Sequence, residues 1–306
     1  MKHLSEGRKM FISVMVVFAV YALIFILFED YDRKFLKPFD EVSDWHLLLF
    51  SIVVMLLLGG MLYRYARHMD ERISREQAAK ENEMRRELTQ NIAHELKTPV
   101  ASILGYTDTI LDNPDMSEET RQQFIVRTNA QAQRLTALLQ DISTLNRMDY
   151  APDVLTLERI DVSQIVAEIA EETAMAFTKK RMTLRNCLPQ GIIIKGNASL
   201  VYSIFRNLID NALNYAGEGT TVEMDANDSG DSWHFVFADN GCGIDAKHQS
   251  RIFERFYRID KSRSRMMGGT GLGLAIVKNA VLLHGGQITA TDAPKGGLQF
   301  EFTLKK

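Results

Sequence analysis

Hydrophobic residues along the chain fall into three regimes. Near the N-terminus they form unbroken runs. Met10 to Phe28 contains no charged residue and is about as long as a helix needs to span a bilayer. Leu47 to Tyr63 is a second, somewhat shorter run with Gly59-Gly60 inside it. In the middle of the chain the apolar residues thin out. Arg64 to Arg86 is rich in Arg, Glu, Lys, Gln and Ala, all good helix formers, and neither Gly nor Pro occurs between Met61 and Thr98. One continuous helix is predicted there; at 1.5 Å per residue it places His94 roughly 45 Å beyond Arg64. Asn113-Pro114-Asp115 marks a turn, and Ser117 caps a second helix in which Leu135, Leu138, Ile142 and Leu145 alternate three and four apart. Two such helices form an antiparallel hairpin that cannot cover both its faces, so pairing of two copies as a four-helix bundle is expected. After an Asp149–Asp153 linker the pattern changes again, to short strands and amphipathic helices mixed over 157–306.

The two apolar runs are read as transmembrane helices, 10–28 and 47–63, around a short loop, 29–46. The first is too long for a signal sequence and is followed by acidic residues where a cleavage site needs small ones. Trp45 and Tyr63 flank the second, as interface residues do. Lys2, Arg8 and Lys9 precede the first run and Arg64, Arg67, Arg72 and Arg75 follow the second, against Arg33, Lys34 and Lys37 in the loop. This bias places both termini in the cytosol. The loop is too short for a core of its own.

A formal net charge of −3 gives no basic field for nucleic acid, and nucleic-acid binding is not expected. Cys187 and Cys242 stand apart without metal-ligand spacing and read as reduced cytosolic thiols, which removes zinc and disulfide chemistry.

Four segments carry candidate chemistry. Asn91 to Pro99 sets His94 beside Glu95, with Thr98 one turn on and Pro99 bending the helix. A neutral imidazole can attack with one ring nitrogen while a carboxylate takes the proton from the other. Thr98 could position a water for loss of phosphate. Alone, this pair reads as an ordinary exposed one. The helix from about Ser199 to Ala216 has an apolar face of Ile204, Phe205, Leu208, Ile209, Ala212 and Leu213. Opposite it lies a stripe of Asn207, Asn211 and Asn214, with Asp210 alongside. Asn is a mediocre helix former, whereas amide oxygens suit a hard cation such as Mg²⁺. Asp239-Asn240-Gly241-Cys242-Gly243 follows a predicted strand, Trp233 to Ala238. It reads either as a hairpin turn or as a buried carboxylate that accepts from the exocyclic amine of a base, with Gly241 and Gly243 allowing close approach. Gly268 to Gly273 leads into a helix, Leu274 to His284, closed by Gly285. A Gly-rich turn at a helix N-terminus offers N–H donors to phosphates. It matches neither the Walker loop nor the dinucleotide fingerprint. Between these segments, Phe253-Glu254-Arg255-Phe256-Tyr257-Arg258 supplies aromatics for a lid and arginines to offset γ-phosphate charge.

From about Glu83 to Leu304 the chain resembles the bacterial sensor histidine kinases of two-component systems. His94-Glu95-Leu96-Lys97-Thr98-Pro99 matches their phosphoacceptor hairpin. Asn207 to Ala212, Asp239 to Gly243 and Gly269 to Gly273 match the ATP-binding domain shared with the gyrase, Hsp90 and MutL ATPases. The resemblance implies that His94 accepts phosphate, Glu95 is its base, and Thr98 serves the phosphatase step. It further implies that Asn211 holds Mg²⁺ with Asn207 nearby, Tyr215 lines the nucleotide, and Asp239 binds adenine. Gly241, Gly243, Gly269, Thr270, Gly271, Leu272 and Gly273 would shape the lid and phosphate site, with Arg258 near the γ-phosphate. It departs from the family at Asn214, where a Lys or Arg is common, in having no room between Tyr63 and Glu83 for a membrane-proximal relay domain, and in its short extracytoplasmic loop. Sensing is therefore assigned to the spans or to a membrane or extracytoplasmic partner.

The expected architecture is a membrane hairpin (1–63), a signalling helix (64–86), a dimeric hairpin carrying the phosphoacceptor (87–150) and an α/β two-layer sandwich that binds ATP (157–306). The resemblance places it as a multi-pass protein of the bacterial inner membrane with its catalytic domains in the cytosol. A homodimer and a response-regulator receiver domain are its implied partners, and ATP and Mg²⁺ its cofactors. Two rivals stand beside this reading: a conformational ATPase of the same nucleotide class, and a catalytically silent membrane receptor.

Overall fold

The structure, a computed structural model, describes Val20 and residues 42–150, 156–260 and 269–306. The first apolar run apart from Val20, the loop after it up to residue 41, and Gly268 lie outside the described residues. The chain divides into two compact units, Met1–Met84 and Arg85–Lys306.

The long helix α1 spans Val42–Asp112 and contains the whole segment Arg64–Arg86. Among the described residues no helix is long and apolar enough to cross a membrane. Helix α1 nonetheless presents a bare apolar surface at Met55, Leu56 and Leu57, whose side chains are 76%, 70% and 69% exposed. Ile52, Val53, Met61, Leu62 and Tyr63 are exposed as well. A patch of this kind needs a covering phase or partner.

In the second unit, α1 turns at Asn113 into α2, Glu118–Tyr150, so Asp149 and Tyr150, expected to open a linker, are helical, and the rest of that linker lies outside the described residues. The turn is tied by Met116 N donating to Asn113 O (3.1 Å), Arg121 donating to Pro114 O (3.0 Å) and Thr120 N donating to Ser117 Oγ (3.3 Å). Glu118 and Glu119 in the first turn and Arg147 in the last complement the helix dipole. Tyr106 packs on Phe124 across the hairpin. Pro99 is buried inside α1, where it leaves the Glu95 carbonyl without its usual helical donor.

The remaining residues form the sandwich. Strands β1 (Glu158–Asp161) and β3 (Ile193–Gly196) pair antiparallel. Strands β2 (Thr183–Asn186), β4 (Thr221–Asp228), β5 (Ser232–Asp239), β6 (Ile288–Asp292) and β7 (Leu298–Lys305) make a five-stranded sheet in the order β2-β4-β5-β7-β6. Only β2–β4 is parallel. Strands β4, β5 and β7 bury alternate residues, the signature of a sheet with one covered face. The cover is α3 (Val162–Lys179), α4 (Ala198–Tyr215) and α6 (Gly273–Leu283); α5 is the short Ala246–Gln249. Side-chain caps start two of these helices: Asp161 accepts from Ser163 N and Gln164 N, and Asn197 from Leu200 N. Cross-strand register sets Phe235 against Phe302 and Phe237 against Phe300. Phe235 and Phe302 stack at 5.1 Å, and Phe205 of α4 meets both edge-on at 5.6 and 5.7 Å. This aromatic triad sits at the centre of the core.

The α2 seam is covered differently from the expectation. Leu138, Leu145 and Met148 are buried within a single chain, in the same apolar cluster as α6, and Ile142 packs against it. The reason is the composition of α6, which is apolar nearly all round, so that it covers the sheet with one side and has another to offer.

His284 closes α6. Its Nδ1–H donates to Ala280 O (2.7 Å) and its Nε2 accepts from Asn197 N (3.0 Å), joining the end of α6 to the start of α4. Burial depresses its pKa below the ordinary histidine range. Phe205→Ala should destabilise the sandwich by ~3–5 kcal/mol, read as a lowered denaturant midpoint. Protonated His284 cannot accept from Asn197, so the unfolded chain binds the proton more readily than the folded one. The stability due to this group is therefore fully present above about pH 6.5 and is lost as pH falls below it. The stability-against-pH slope between pH 7 and 5 should flatten in His284→Gln.

Candidate active site

The four segments marked in the sequence converge at one end of the sandwich, where helix α4 supplies the Asn stripe. Asn207 donates from Nδ2 to Ser203 O (2.8 Å), which turns its Oδ1 onto Gly273; a Cβ there would lie 2.5 Å from that oxygen. Gly at the first position of α6 thus lets the Asn helix and the Gly-rich turn pack directly. Asn211 and Asn214 are half-buried on the same stripe, and among the described residues no hydrogen bond engages either amide. The Asn211 oxygen is therefore available to a cation.

Asp239 ends β5 and is 7% exposed. Its Oδ1 accepts from Gly241 N (2.8 Å) and Leu298 N (3.4 Å), and among the described residues no bond engages Oδ2. Burial raises its pKa, and the two backbone donors oppose the rise. A carboxylate with one oxygen fixed and the other open is a directional acceptor. The turn behind it is held by contacts that exclude side chains. A Cβ on Gly241 would meet Ala216 O at 2.3 Å, and one on Gly297 would meet Asp239 O at 2.1 Å. Gly243 and Gly297 also adopt the left-handed φ that favours Gly. Gly297 and the Leu298 amide were not singled out in the sequence; the Gly296-Gly297 pair between two strands was the available signal. Cys242 Sγ lies 3.5 Å from Tyr215 O, and Tyr215 itself is exposed at the end of α4.

The Gly-rich turn is cross-linked by its own residues. Gly271 has φ +75° and its carbonyl accepts from Phe256 N (2.7 Å). Phe256 is itself in the left-handed region, φ +61°, an unfavourable conformation for a residue with a Cβ. Tyr257 is held by His248 (Nδ1 to Oη, 2.6 Å) and by the Arg251 guanidinium over its ring. The Leu272 side chain is fully buried, which makes it a core residue; only its amide faces the turn, donating to Thr270 Oγ1 (3.2 Å).

His94 lies on α1 with its side chain 65% exposed. Its Nδ1 is 4.0 Å from Glu95 Oε1, beyond hydrogen-bond reach, so the expected His–Glu base pair is not assembled in this arrangement. Glu95 instead faces two guanidiniums: Arg258 at 3.1 Å and Arg134 at 3.6 Å, with all three side chains at most 13% exposed. Thr98 donates back to His94 O (3.3 Å). Arg258 also donates to Gly269 O (2.7 Å), which brings the neighbour of His94 to the Gly-rich turn. Thr270 Oγ1 donates to Asp141 Oδ2 (2.8 Å), and Arg255 pairs with Asp149 (2.8 Å). Arg134, Asp141 and Asp149 of α2 were missed by sequence reasoning, since single charged residues on an exposed-looking helix carry no signal.

The group at this end can hold an anion against backbone N–H donors and a guanidinium, a cation at an amide oxygen, and an amine at a carboxylate. Among the described residues no cluster of three His, Cys, Asp or Glu is present. The donor set suits Mg²⁺, which keeps most of its shell as water and phosphate oxygens and takes few protein ligands.

Comparison with known proteins agrees with this arrangement. Residues 84–151 match the His Kinase A (phospho-acceptor) domain, and residues 196–306 match the histidine kinase-, DNA gyrase B- and HSP90-like ATPase domain. The chain is 33% identical over 220 residues to the sensor-like histidine kinase SenX3 of Mycolicibacterium smegmatis, covering 72% of this chain and 57% of that one. It is 30% identical over 227 residues to the sensor histidine kinase WalK of Bacillus subtilis, covering 74% and 37%. The matched region thus spans about half the length of these relatives, or less. Among solved structures, the histidine kinase AdeS of Acinetobacter baumannii shares the fold over 69% of this chain and 97% of that one, with a TM-score of 0.57 at 21% identity. With a phosphoacceptor hairpin and an ATPase lobe in one chain, and with these relatives, the protein belongs to the two-component sensor histidine kinases.

Proposed function

We propose that the chain uses ATP to phosphorylate its own His94 and passes the phosphoryl group to an aspartate on the receiver domain of a response regulator. The observation that carries this reading is the Glu95–Arg258 pair, because it sets the residue beside His94 against the Gly-rich turn in one folded unit. Adenine would donate its exocyclic amine to Asp239 Oδ2. The triphosphate would run along the Asn stripe toward the N-terminus of α6, where the dipole favours it. Mg²⁺ held there would supply positive charge to offset that of the phosphates. Asn211 would hold that ion through its amide oxygen, with Asn207 alongside.

An imidazole nitrogen of His94 attacks the γ-phosphorus. The bond from that phosphorus to the β–γ bridging oxygen breaks, and its electron pair leaves on ADP. The other ring nitrogen gives its proton to Glu95, which a rotation from the present 4.0 Å separation would bring into reach. The resulting P–N bond is labile, which suits onward transfer rather than storage. Thr98, one turn from His94, is the candidate for orienting a water in the reverse, phosphatase step.

Two further features belong to this proposal. The exposed apolar surface of Met55 to Tyr63 on α1 supports a membrane-spanning second segment. With the run at 10–28, that makes a multi-pass protein of the bacterial inner membrane, its catalytic domains cytosolic. The exposed Val100, Leu104, Leu111, Ile125 and Val126 of the hairpin support a homodimer built on it. The stimulus would enter through the spans or a sensory partner.

Incubation of the protein with labelled ATP should give acid-labile, base-stable label that is absent from His94→Gln, while ATP binding persists in that variant. ATP turnover without protein label would instead favour a conformational ATPase. Asp239→Asn should weaken ATP binding by about tenfold or more, measured by titration with a non-hydrolysable analogue, because an amide has one acceptor oxygen where the carboxylate has two and cannot accept from both the backbone amides and the adenine amine.

A further inference from the structure

Three pairs fasten the hairpin to the lobe, and in each the hairpin supplies a carboxylate and the lobe a donor. Glu95 takes Arg258, Asp141 takes Thr270, and Asp149 takes Arg255. The lobe residues are not scattered. Thr270 lies within the Gly-rich turn, Arg258 grips the Gly269 carbonyl of that turn, and Arg255 sits on the segment that carries Arg258. The turn they hold leads directly into α6 at Gly273, and a helix N-terminus favours an anion.

The donors are committed. Thr270 has one hydroxyl proton and gives it to Asp141. The Arg258 Nη2 atom serves both Glu95 and Gly269 O. Arg258 Nε is buried and has no hydrogen-bond partner among the described residues, although the Arg258 side chain is only 6% exposed. An unmet donor on a buried guanidinium is costly and calls for an anionic oxygen.

We propose that Glu95, Asp141 and Asp149 stand on the lobe in place of a nucleotide's terminal phosphates, so that this clasp and ATP compete for the same groups. This rests on the reading of the lobe as an ATP site. Asp141 and Asp149 are then positioning residues that set nucleotide affinity from the hairpin side. A phosphate arriving at the α6 N-terminus meets the Asp141 carboxylate at close range, and two anions cannot share one hydroxyl donor. Burial raises the Asp141 pKa, the Thr270 hydroxyl opposes the rise, and the nearby Asp210 carboxylate adds to it. When the phosphate takes Arg258, Glu95 loses that partner beside His94, with its Oε1 only 4.0 Å from the imidazole. Nucleotide arrival and delivery of the base become one event.

The test is the affinity of the full-length protein for a non-hydrolysable ATP analogue with Mg²⁺, by titration calorimetry. Asp141→Ala and Asp149→Ala should each tighten binding about 2- to 10-fold, and the double variant further, because opening the clasp raises the fraction able to bind. Asp149→Asn should tighten it likewise, whereas Asp149→Glu, which keeps the carboxylate opposite Arg255, should leave it near the wild-type value, which mere disturbance of the helix would not do. Asp149 is partly exposed, so its variants serve even if Asp141→Ala fails to fold. If the wild type binds and the Ala and Asn variants bind equally or more weakly, the competition is overturned while the ATP reading stands. If no form binds the analogue, both fall.

Discussion

Helix α6 must bury two sides at once, and the geometry of the site depends on that. One side, with Ile276, Val277, Ala280 and Val281, completes the core over the sheet. Another belongs to the apolar cluster shared with Leu138, Leu145 and Met148 of the hairpin. Its N-terminus is the mouth of the Gly-rich turn, and its C-terminus is pinned through His284 to the start of α4. A helix so constrained cannot shift without disturbing the Asn stripe, the turn and the hairpin together. Burial of the hairpin seam is thus what sets the distance between the turn and His94. At ~1.5–3 kcal/mol per large apolar side chain, the seam outweighs any one of the surrounding charge pairs.

The polar contacts add direction rather than strength. Two guanidiniums share the Glu95 carboxylate in a poorly exposed place, an arrangement whose desolvation cost is large. Such a network contributes little net stability, but it is sensitive to any new charge. The same division holds at Asp239. The glycines at 241 and 297 allow backbone to approach within contact distance, and the carboxylate then takes its orientation from two amides. Packing fixes where the groups lie, and electrostatics decides what they will accept.

Much of this was legible in the sequence, and the exceptions share a cause. The apolar face of α4 and the strand ending at Asp239 follow from periodicity, which one chain segment carries by itself. The start and end of α6 follow from Gly residues whose conformations are local. Contacts between distant segments left no such trace. Nothing in the sequence set Asp141 against Thr270 or Arg134 against Glu95, because each pair joins two surfaces of unremarkable charge. The α2 seam was read correctly as apolar, yet its cover within one chain is α6, since a heptad-like stripe states that burial is needed and not by what. Thr98 and Leu272 show a related limit. Motif position singled out both, while the structure gives the Thr98 hydroxyl to its own helix and the Leu272 side chain to the core.

Asn214 ties these points together. The stripe of Asn207, Asn211 and Asn214 carries amides and no cation, so in the proposed reading it would bring oxygen ligands but no positive charge to the phosphates. A guanidinium fixed at the Gly-rich turn is Arg258, on a segment tethered to the hairpin through Arg255 and Asp149. Charge fixed within the α4 helix would bind phosphate whether or not the hairpin were docked. Charge supplied by Arg258 is shared with Glu95, and its availability follows the position of the hairpin. In the proposed reading the phosphate site therefore answers to the contact between lobe and hairpin, because the guanidinium at the turn is shared with Glu95.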